Sequence, residues 1–402
     1  MKILVINCGS STIKFQLYNM EDKKVILKGR CDKVGLDTSN LIYKNLRDDK
    51  VLEKHIKMED HKEAMEVLLK TMTSKEYGVI TYLNEISAVG HRVVHGGEKF
   101  NKAVLADDIV IDEISRLSEL APLHNPAAVM GINAIRSIDL SIPNVIVCDT
   151  AFHQTIPDYN YIYPIKYEYY EKYGIRRYGF HGTSYKYILD RLVDILDKPI
   201  REINAIVCHL GSGASICAIK NGKSYDTSMG FTPLEGLMME TRCGDIDPAI
   251  VTKIMEVENL TTKEMDTIMN KKSGRLSVCG IGDQRELIMA ANSGNEKAML
   301  ARKIQTNRTK KYIGSYMAEL NRVDAIVFTA GVAENNFCER EKTVSNMEYL
   351  GIKIDKELNL SGSGKESIIS TMDSKIPVYV IPTDEEFEIA NQTKEVILEG
   401  TR

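Results

Sequence analysis

KILVINCGSSTIKFQLY, residues 2–18, reads as an apolar strand, a tight cluster of glycine and hydroxyl side chains, and a second strand. The same design returns about two hundred residues later as NAIVCHLGSGASICAIKNGK, residues 204–223. In each, the apolar run stops where side chains are small enough for backbone N–H groups to converge on an anion. Each loop leads into another strand-like run, Ile13 to Tyr18 in the first case and Ser215 to Lys220 with an Asn221-Gly222 turn in the second. These are hairpin loops. A Walker loop would open a helix and read GxxxxGK[ST]. Either loop alone is as well explained by an ordinary Gly-rich hairpin; their pairing in the two halves of one chain favours a phosphate cradle.

A chain of 402 residues exceeds one ordinary core, so two domains are expected. The composition, 43% hydrophobic and 27% charged with a formal net charge of -4, is that of a soluble globular protein and lacks the basic excess of a nucleic-acid binder. No apolar stretch approaches the roughly 20 residues of a membrane span, and the N-terminal apolar run ends at Asn7, too soon for a signal peptide. A cytoplasmic protein with no membrane or nucleic-acid partner is expected. The eight cysteines are scattered without a CxxC pair, which argues against zinc and disulfides. A reactive thiol at Cys8 or Cys243, beside the candidate anion sites, stays open.

Along the chain, three meandering strands (2–7, 13–18 and 25–30) precede helical patterning at 61–73 and an apolar run, 86–94, that leads into HGGEKF. Asn125-Pro126 reads as an N-cap with proline at the first helical position. The strand 144–148 delivers Asp149 at its carboxyl end, where open α/β sheets place ligand chemistry. From about residue 151 the order restarts: GFHGTS, a helix over 184–196, the second hairpin, a helix capped by Asp247-Pro248, a long helix over 295–320, a strand 325–329 ending in AGVAEN, and a strand 378–382 leading through TDEE into a final helix. This is an α/β chain of two duplicated domains, 1–150, completed by the C-terminal helix 385–402, and 151–384.

Several side chains sit at strand ends or in glycine-flanked loops, where they can serve chemistry. Arg92 in GHRVVHGG and Arg242 in METRCGD carry guanidinium forks that match carboxylate and phosphate bidentately, though an isolated arginine is more often a surface ion pair. His181 in GFHGTS can donate to a transferring phosphoryl group; its plain alternative is a satisfied core histidine. Asp149 and the pair Glu385/Glu386 are carboxylates suited to Mg²⁺, which takes one or two carboxylates plus waters and phosphate oxygens. One of the pair is equally placed to favour a helix N-terminus through the dipole. Asn7 and Lys14 flank the first loop, and Gly331 allows close backbone approach after a strand.

Taken in order, NCGSSTIKFQL, GHRVVHGGEKF, APLHNPA, DTAFHQTIP, RRYGFHGTS, HLGSGAS, DTSMGFTPLEGLMMETRCGDIDP, FTAGVAEN and IPTDEE closely resemble the signatures of the acetate kinase family, over essentially the whole chain. That family belongs to the superfamily of sugar kinases, heat-shock cognate ATPases and actin. The resemblance implies two actin-like (ribonuclease H-like) domains around a nucleotide cleft and the reaction ATP + acetate ⇌ ADP + acetyl phosphate, by direct in-line transfer with Mg²⁺, for which Mn²⁺ can substitute. It implies that Arg92 and Arg242 bind the carboxylate and the transferring phosphoryl, that His181 stabilises transition-state charge and that Asp149 assists. Asn7 and Glu385 would serve the metal. Lys14, the loop His209, Leu210, Gly211, Ser212 and Gly213, the segment Asp283, Gln284 and Arg285, and Gly331, Val332, Ala333, Glu334 and Asn335 would serve the nucleotide. Val94, Leu123, Phe180 and Pro233 would line a methyl pocket. A homodimer is also implied.

The chain departs from the family pattern at Ser212 (usually Asn), Glu240 (usually Gly), Cys243 (usually Ser) and Ala333 (usually Gly), and is divergent just before Asp283. Glu240 is expected to place negative charge near Arg242, and Ala333 a methyl group near the nucleotide, with altered donor selectivity as the consequence. The competing functions are a kinase for propionate or a longer acid, since one methylene in an apolar pocket is worth only about 1–3 kcal/mol, a non-catalytic ATP-dependent switch, and a polyphosphate hydrolase.

Overall fold

The computed structural model describes residues 1–400. The chain divides into two compact units, Met1–Phe152 together with the chain from Asp384 onward, and His153–Thr383.

The first unit carries strands β1 (Lys2–Cys8), β2 (Thr12–Asn19), β3 (Lys24–Asp32), β4 (Asn40–Asn45), β5 (Val51–His55), β6 (Ile86–Val93), β7 (Val104–Leu105) and β8 (Asn144–Cys148) in one sheet of order β5-β4-β3-β2-β1-β6-β8-β7. β1 to β5 form an antiparallel meander, whereas β6 and β8 join parallel to β1. Parallel strands need crossover connections, and helices then cover the sheet. On one face Ile389 and Ala390 of the C-terminal helix Glu385–Gly400 pack with Ile3, Val5, Val145 and Val147. On the other, Ala64, Met65, Leu68 and Leu69 of the helix His61–Met72 join Leu4, Ile6 and Phe15. Gly90 makes the first packing possible: a Cβ there would stand 2.4 Å from Thr393 Oγ1 and 2.9 Å from Ile389 Cγ2. Residues 401–402 of the expected final helix lie outside the described residues.

The second unit repeats the plan with β9 (Ala205–Leu210), β10 (Ala214–Lys220), β11 (Lys223–Thr227), β12 (Ala325–Thr329), β13 (Ser367–Ile368) and β14 (Val378–Val380), ordered β11-β10-β9-β12-β14-β13. Here a three-strand meander, β9 to β11, is again followed by two parallel strands, β12 beside β9 and β14 beside β12, where the first unit's meander has five strands. The shared order, meander then two parallel additions, is the duplication expected from the paired hairpins. β9 and β12 are buried at every residue, as strands covered on both faces are.

Two local expectations are corrected. The antiparallel meander has five strands rather than three; β5 is almost wholly exposed, so its polar sequence carries no alternation to read. Asn125 is not a cap. The helix Asn125–Ile138 already includes it, and its buried amide accepts from His95 N–H at 3.1 Å and donates to the His95 carbonyl at 2.9 Å. A side chain read as a helix signal instead pins the loop that follows Arg92.

Candidate active site

In the first unit, β6 and β8 run side by side, with Arg92 opposite Val147 and Val93 opposite Cys148. Arg92 and Asp149 therefore leave the same end of the sheet. Arg92 Nε donates to Asp149 Oδ1 at 3.0 Å and Nη2 donates to Oδ2 at 2.6 Å, a bidentate pair with the carboxylate fully buried and a quarter of the arginine side chain exposed. The neighbouring negative charge of Asp149 outweighs burial and holds the Arg92 guanidinium well above its ordinary range. Glu385, the first residue of the final helix, is pushed up to about 7 by burial, with Asp149 and Glu386 adding to the rise and Arg92 and Lys14 opposing it. Asn7 and Lys14 are direct partners across the β1–β2 hairpin, and Gly9 N–H closes the intervening loop on the Thr12 carbonyl at 2.7 Å. Arg92, Asp149, Glu385, Lys14 and Asn7, singled out in the sequence at very different positions, belong to this unit.

The second unit supplies a different set. His181 precedes the helix Gly182–Leu196 with φ of 58°, a left-handed conformation that costs a non-glycine residue strain and is typical of functional positions. Its ring lies flat on that of His209, centroids 4.0 Å apart and planes 14° from parallel. Nδ1 of His181 is 2.8 Å from Ser215 Oγ, and Nδ1 of His209 is 2.9 Å from Ser184 Oγ. The second hairpin loop runs from β9 to β10, with Gly211 N–H donating to the Gly213 carbonyl at 3.0 Å and Ser212 exposed at its tip. A Cβ at Gly213 would stand 3.6 Å from Arg242 Nη1 and 3.7 Å from His181 Nε2, so the arginine and the imidazole both face the bare backbone of the loop. Arg242 Nη1 also donates to the Pro233 carbonyl at 3.3 Å.

Burial alone lowers the affinity of Arg242 for its proton; the charge of Glu240 is felt by Arg275. The expectation that Glu240 burdens Arg242 is thus corrected: Glu240 lies against Gly282, whose added Cβ would meet its Oε1 at 3.0 Å. Ala333 is corrected too. It is fully buried and its carbonyl accepts from Arg340 Nη1 at 2.6 Å, so its methyl packs inward. The open position of that turn is Gly331, where an added Cβ meets nothing within 4 Å. Glu334 takes the Ala330 N–H at 2.7 Å and the Thr383 N–H at 3.0 Å, while Val332 is half-buried and Asn335 Nδ2 returns to the Gly331 carbonyl at 3.0 Å.

Asp283 caps the helix Gln284–Asn292, accepting from Arg285 N–H at 2.8 Å and Glu286 N–H at 3.2 Å, and its carboxylate faces the exposed Arg285 guanidinium. Gln284 is buried. Of the proposed methyl-pocket residues, Phe180 is buried and adjoins His181, Pro233 is held at Arg242, Val94 is half-buried after β6, and Leu123 is 67% exposed. The thiols do not support reactivity: burial pushes Cys8 up to about 12 and raises Cys243 as well, which keeps both protonated near neutrality. Sequence reading passed over Ser184, Tyr185 and Ser215 as site residues. The signal was present in the hydroxyls of GTSY, one turn beyond His181, and in the strand position opposite His209.

No helix among the described residues is long and apolar enough to cross a membrane. The model of the acetokinase family matches residues 2–391. The chain is 54% identical over 400 residues to an acetate kinase of Thermoanaerobacter pseudethanolicus, covering 99% of each chain, and 52% identical to one of Methanosarcina thermophila, covering 99% of this chain and 97% of that one. Among solved structures it resembles Porphyromonas gingivalis acetate kinase, with a TM-score of 0.95 at 44% identity, covering 98% of this chain and 99% of that one. It also resembles a propionate kinase of Francisella tularensis, with a TM-score of 0.91 at 39% identity over 98% and 99% of the two chains. The chain belongs to the acetokinase family.

Proposed function

We propose that this member of the acetokinase family is an acetate kinase that transfers the terminal phosphoryl group of ATP directly to the acetate carboxylate, reversibly, giving ADP and acetyl phosphate. The observation that carries the reading is the Arg92–Asp149 pair: a guanidinium kept charged, anchored through one edge and partly exposed. A pure nucleotide switch has no need of it. In this reading Arg92 takes an oxygen of the acetate carboxylate and Asp149 fixes the direction of its fork. Arg242, lacking a carboxylate among the influences on its proton affinity, is left to meet the negative charge of the transferring phosphoryl. His181 donates a hydrogen bond to the same group from Nε2, beside the loop Gly211 to Gly213 that receives the phosphates. Phosphoryl transfer needs positioning and charge neutralisation more than covalent participation, which suits a site built from cations and backbone N–H groups.

The donor set fits Mg²⁺. Asn7, Glu385 and the nearby Asp149 offer only oxygen ligands suited to a hard cation, and the burial that pushes Glu385 up to about 7, with the charges of Asp149 and Glu386 adding to it, is a cost that a divalent ion would relieve. Asn7 and Glu385 would hold the ion, directly or through its water, and when bound it neutralises charge on the phosphate oxygens. Gly331 to Asn335 with Asp283 to Arg285 would receive the adenosine side.

A cytoplasmic homodimer is the corresponding state in the cell. The apolar helix Pro248–Glu258 has no buried residue, and Ile250 and Val257 stand exposed on it, surface that a second copy would cover. Light scattering on the purified protein should give twice the 45.2 kDa chain mass. The catalytic reading is tested by trapping acyl phosphate with hydroxylamine in the presence of ATP, Mg²⁺ and acetate, propionate or butyrate. Acetate should give the most hydroxamate per unit time, and absence of any hydroxamate would overturn the reading.

A further inference from the structure

Ser215 lies one hydrogen bond beyond the imidazole of His181, and Tyr185 one further. Ser215 Oγ is 2.8 Å from His181 Nδ1 and is also hydrogen-bonded to the Tyr185 hydroxyl, with both Ser215 and Tyr185 fully buried. The β9–β10 register sets Ser215 directly opposite His209, the residue whose ring is stacked on His181. One cross-strand pair therefore grips the same imidazole twice, through a hydroxyl at its edge and a ring on its face. Tyr185 is itself fixed, its ring edge-on to His153 at 5.6 Å and to His209 at 6.3 Å.

We infer that Ser215 and Tyr185 are positioning residues for phosphoryl transfer: the chain Tyr185 O–H to Ser215 O–H to His181 Nδ1 places the ring hydrogen of His181 on Nε2, the atom that faces Gly213. This rests on the functional reading above and deepens it. The direction of the chain follows from acid–base order. A phenol is a stronger donor and weaker acceptor than an aliphatic hydroxyl, and an unprotonated imidazole nitrogen is the strongest acceptor of the three. Phenol to alcohol to nitrogen is therefore the favoured sense, and each buried hydroxyl is then used as a donor. Because a serine hydroxyl has one hydrogen, its donation to Nδ1 excludes a hydrogen at that nitrogen, so the neutral ring carries it on Nε2. His209 repeats the arrangement in a second hydroxyl chain, Nδ1 to Ser184 Oγ and Ser184 Oγ to Thr383 Oγ1 at 2.8 Å.

The experiment is a long-range ¹H–¹⁵N correlation spectrum of the full-length protein labelled in its histidines, with His181 assigned by its loss in His181→Gln, run beside steady-state kinetics. The wild type should show His181 as the Nε2–H tautomer. Ser215→Ala should move His181 toward the Nδ1–H form or a mixture and lower kcat roughly tenfold, the scale of one lost buried hydrogen bond, with KM for ATP changed by less than about twofold. Tyr185→Phe, which keeps the ring, should give a smaller change in the same direction, and Ser215→Thr should restore both the spectrum and kcat. An unchanged His181 tautomer in Tyr185→Phe and Ser215→Ala, or an Nδ1–H wild type, would overturn the inference; if Ser215→Ala does not fold, Tyr185→Phe decides alone. The spectrum is read without substrate. Wild type with the Nε2–H tautomer but no acetate-dependent turnover would sink the functional reading and leave the hydroxyl chain standing.

Discussion

Asp149 holds Arg92 by two parallel hydrogen bonds, Nε to Oδ1 at 3.0 Å and Nη2 to Oδ2 at 2.6 Å, so that one edge of the guanidinium is committed to the protein while a quarter of the side chain stays exposed. Asp149→Ala should therefore act twice. A buried pair loses one partner, which costs about 3 kcal/mol or more of stability in urea unfolding, and Arg92 loses its orientation. Arg92→Ala and Arg242→Ala should each lower kcat roughly 10²- to 10³-fold. Near-full activity in either arginine variant would remove it from the mechanism.

If Glu385 helps to hold the metal, EDTA should abolish turnover and Glu385→Gln should raise the half-saturating Mg²⁺ concentration by about tenfold or more. Titration of activity against free Mg²⁺ for wild type and variant checks this, and superimposable curves would exclude Glu385.

Gly331 faces open space, and its φ lies outside the left-handed region, so alanine fits there without strain. Gly331→Ala should keep the wild-type melting temperature while raising KM for ATP several-fold, because the added methyl meets nothing in the protein and stands where adenosine is proposed to pass. Equal KM values would move the nucleotide elsewhere.

Asp226 supplies a pH test of stability. Burial lifts its carboxyl to about 6, against the pull of Arg177 at 3.6 Å. The folded state therefore binds this proton more tightly than the unfolded chain does. Its contribution is most favourable below about 4, declines as pH rises toward about 6, and is a constant penalty of order 3 kcal/mol above that. Asp226→Asn should raise the melting temperature at pH 8 and leave a smaller gain or a loss at pH 4. A lower melting temperature at pH 8 would show that the Arg177 contact outweighs burial.

The duplicated α/β plan was legible because β1, β9 and β12 are nearly continuous apolar runs and because Asn221-Gly222, both at positive φ, carry an unmistakable turn signal. Edge strand β5 was not, since an exposed strand shows no pattern. At the site, charged residues after strands drew notice through their loops, whereas Tyr185 and Ser215 look like ordinary helix and strand residues until the β9–β10 register sets Ser215 at His181 and the helix Gly182–Leu196 brings the Tyr185 hydroxyl onto it. Glu240 and Ala333 show the converse. Sequence proximity to Arg242 and to the AGVAEN turn suggested interference, yet the charge of the first acts on Arg275 and the second is buried in the core.

The most direct test of the central claim is ADP release by the purified protein with ATP and Mg²⁺, with and without acetate, measured together with acetyl hydroxamate. Acetate-dependent ADP matched one-to-one by hydroxamate is the predicted result. ADP released equally fast without acetate, and with no hydroxamate, would contradict phosphoryl transfer to a carboxylate and withdraw the roles given to Arg92, Arg242 and His181.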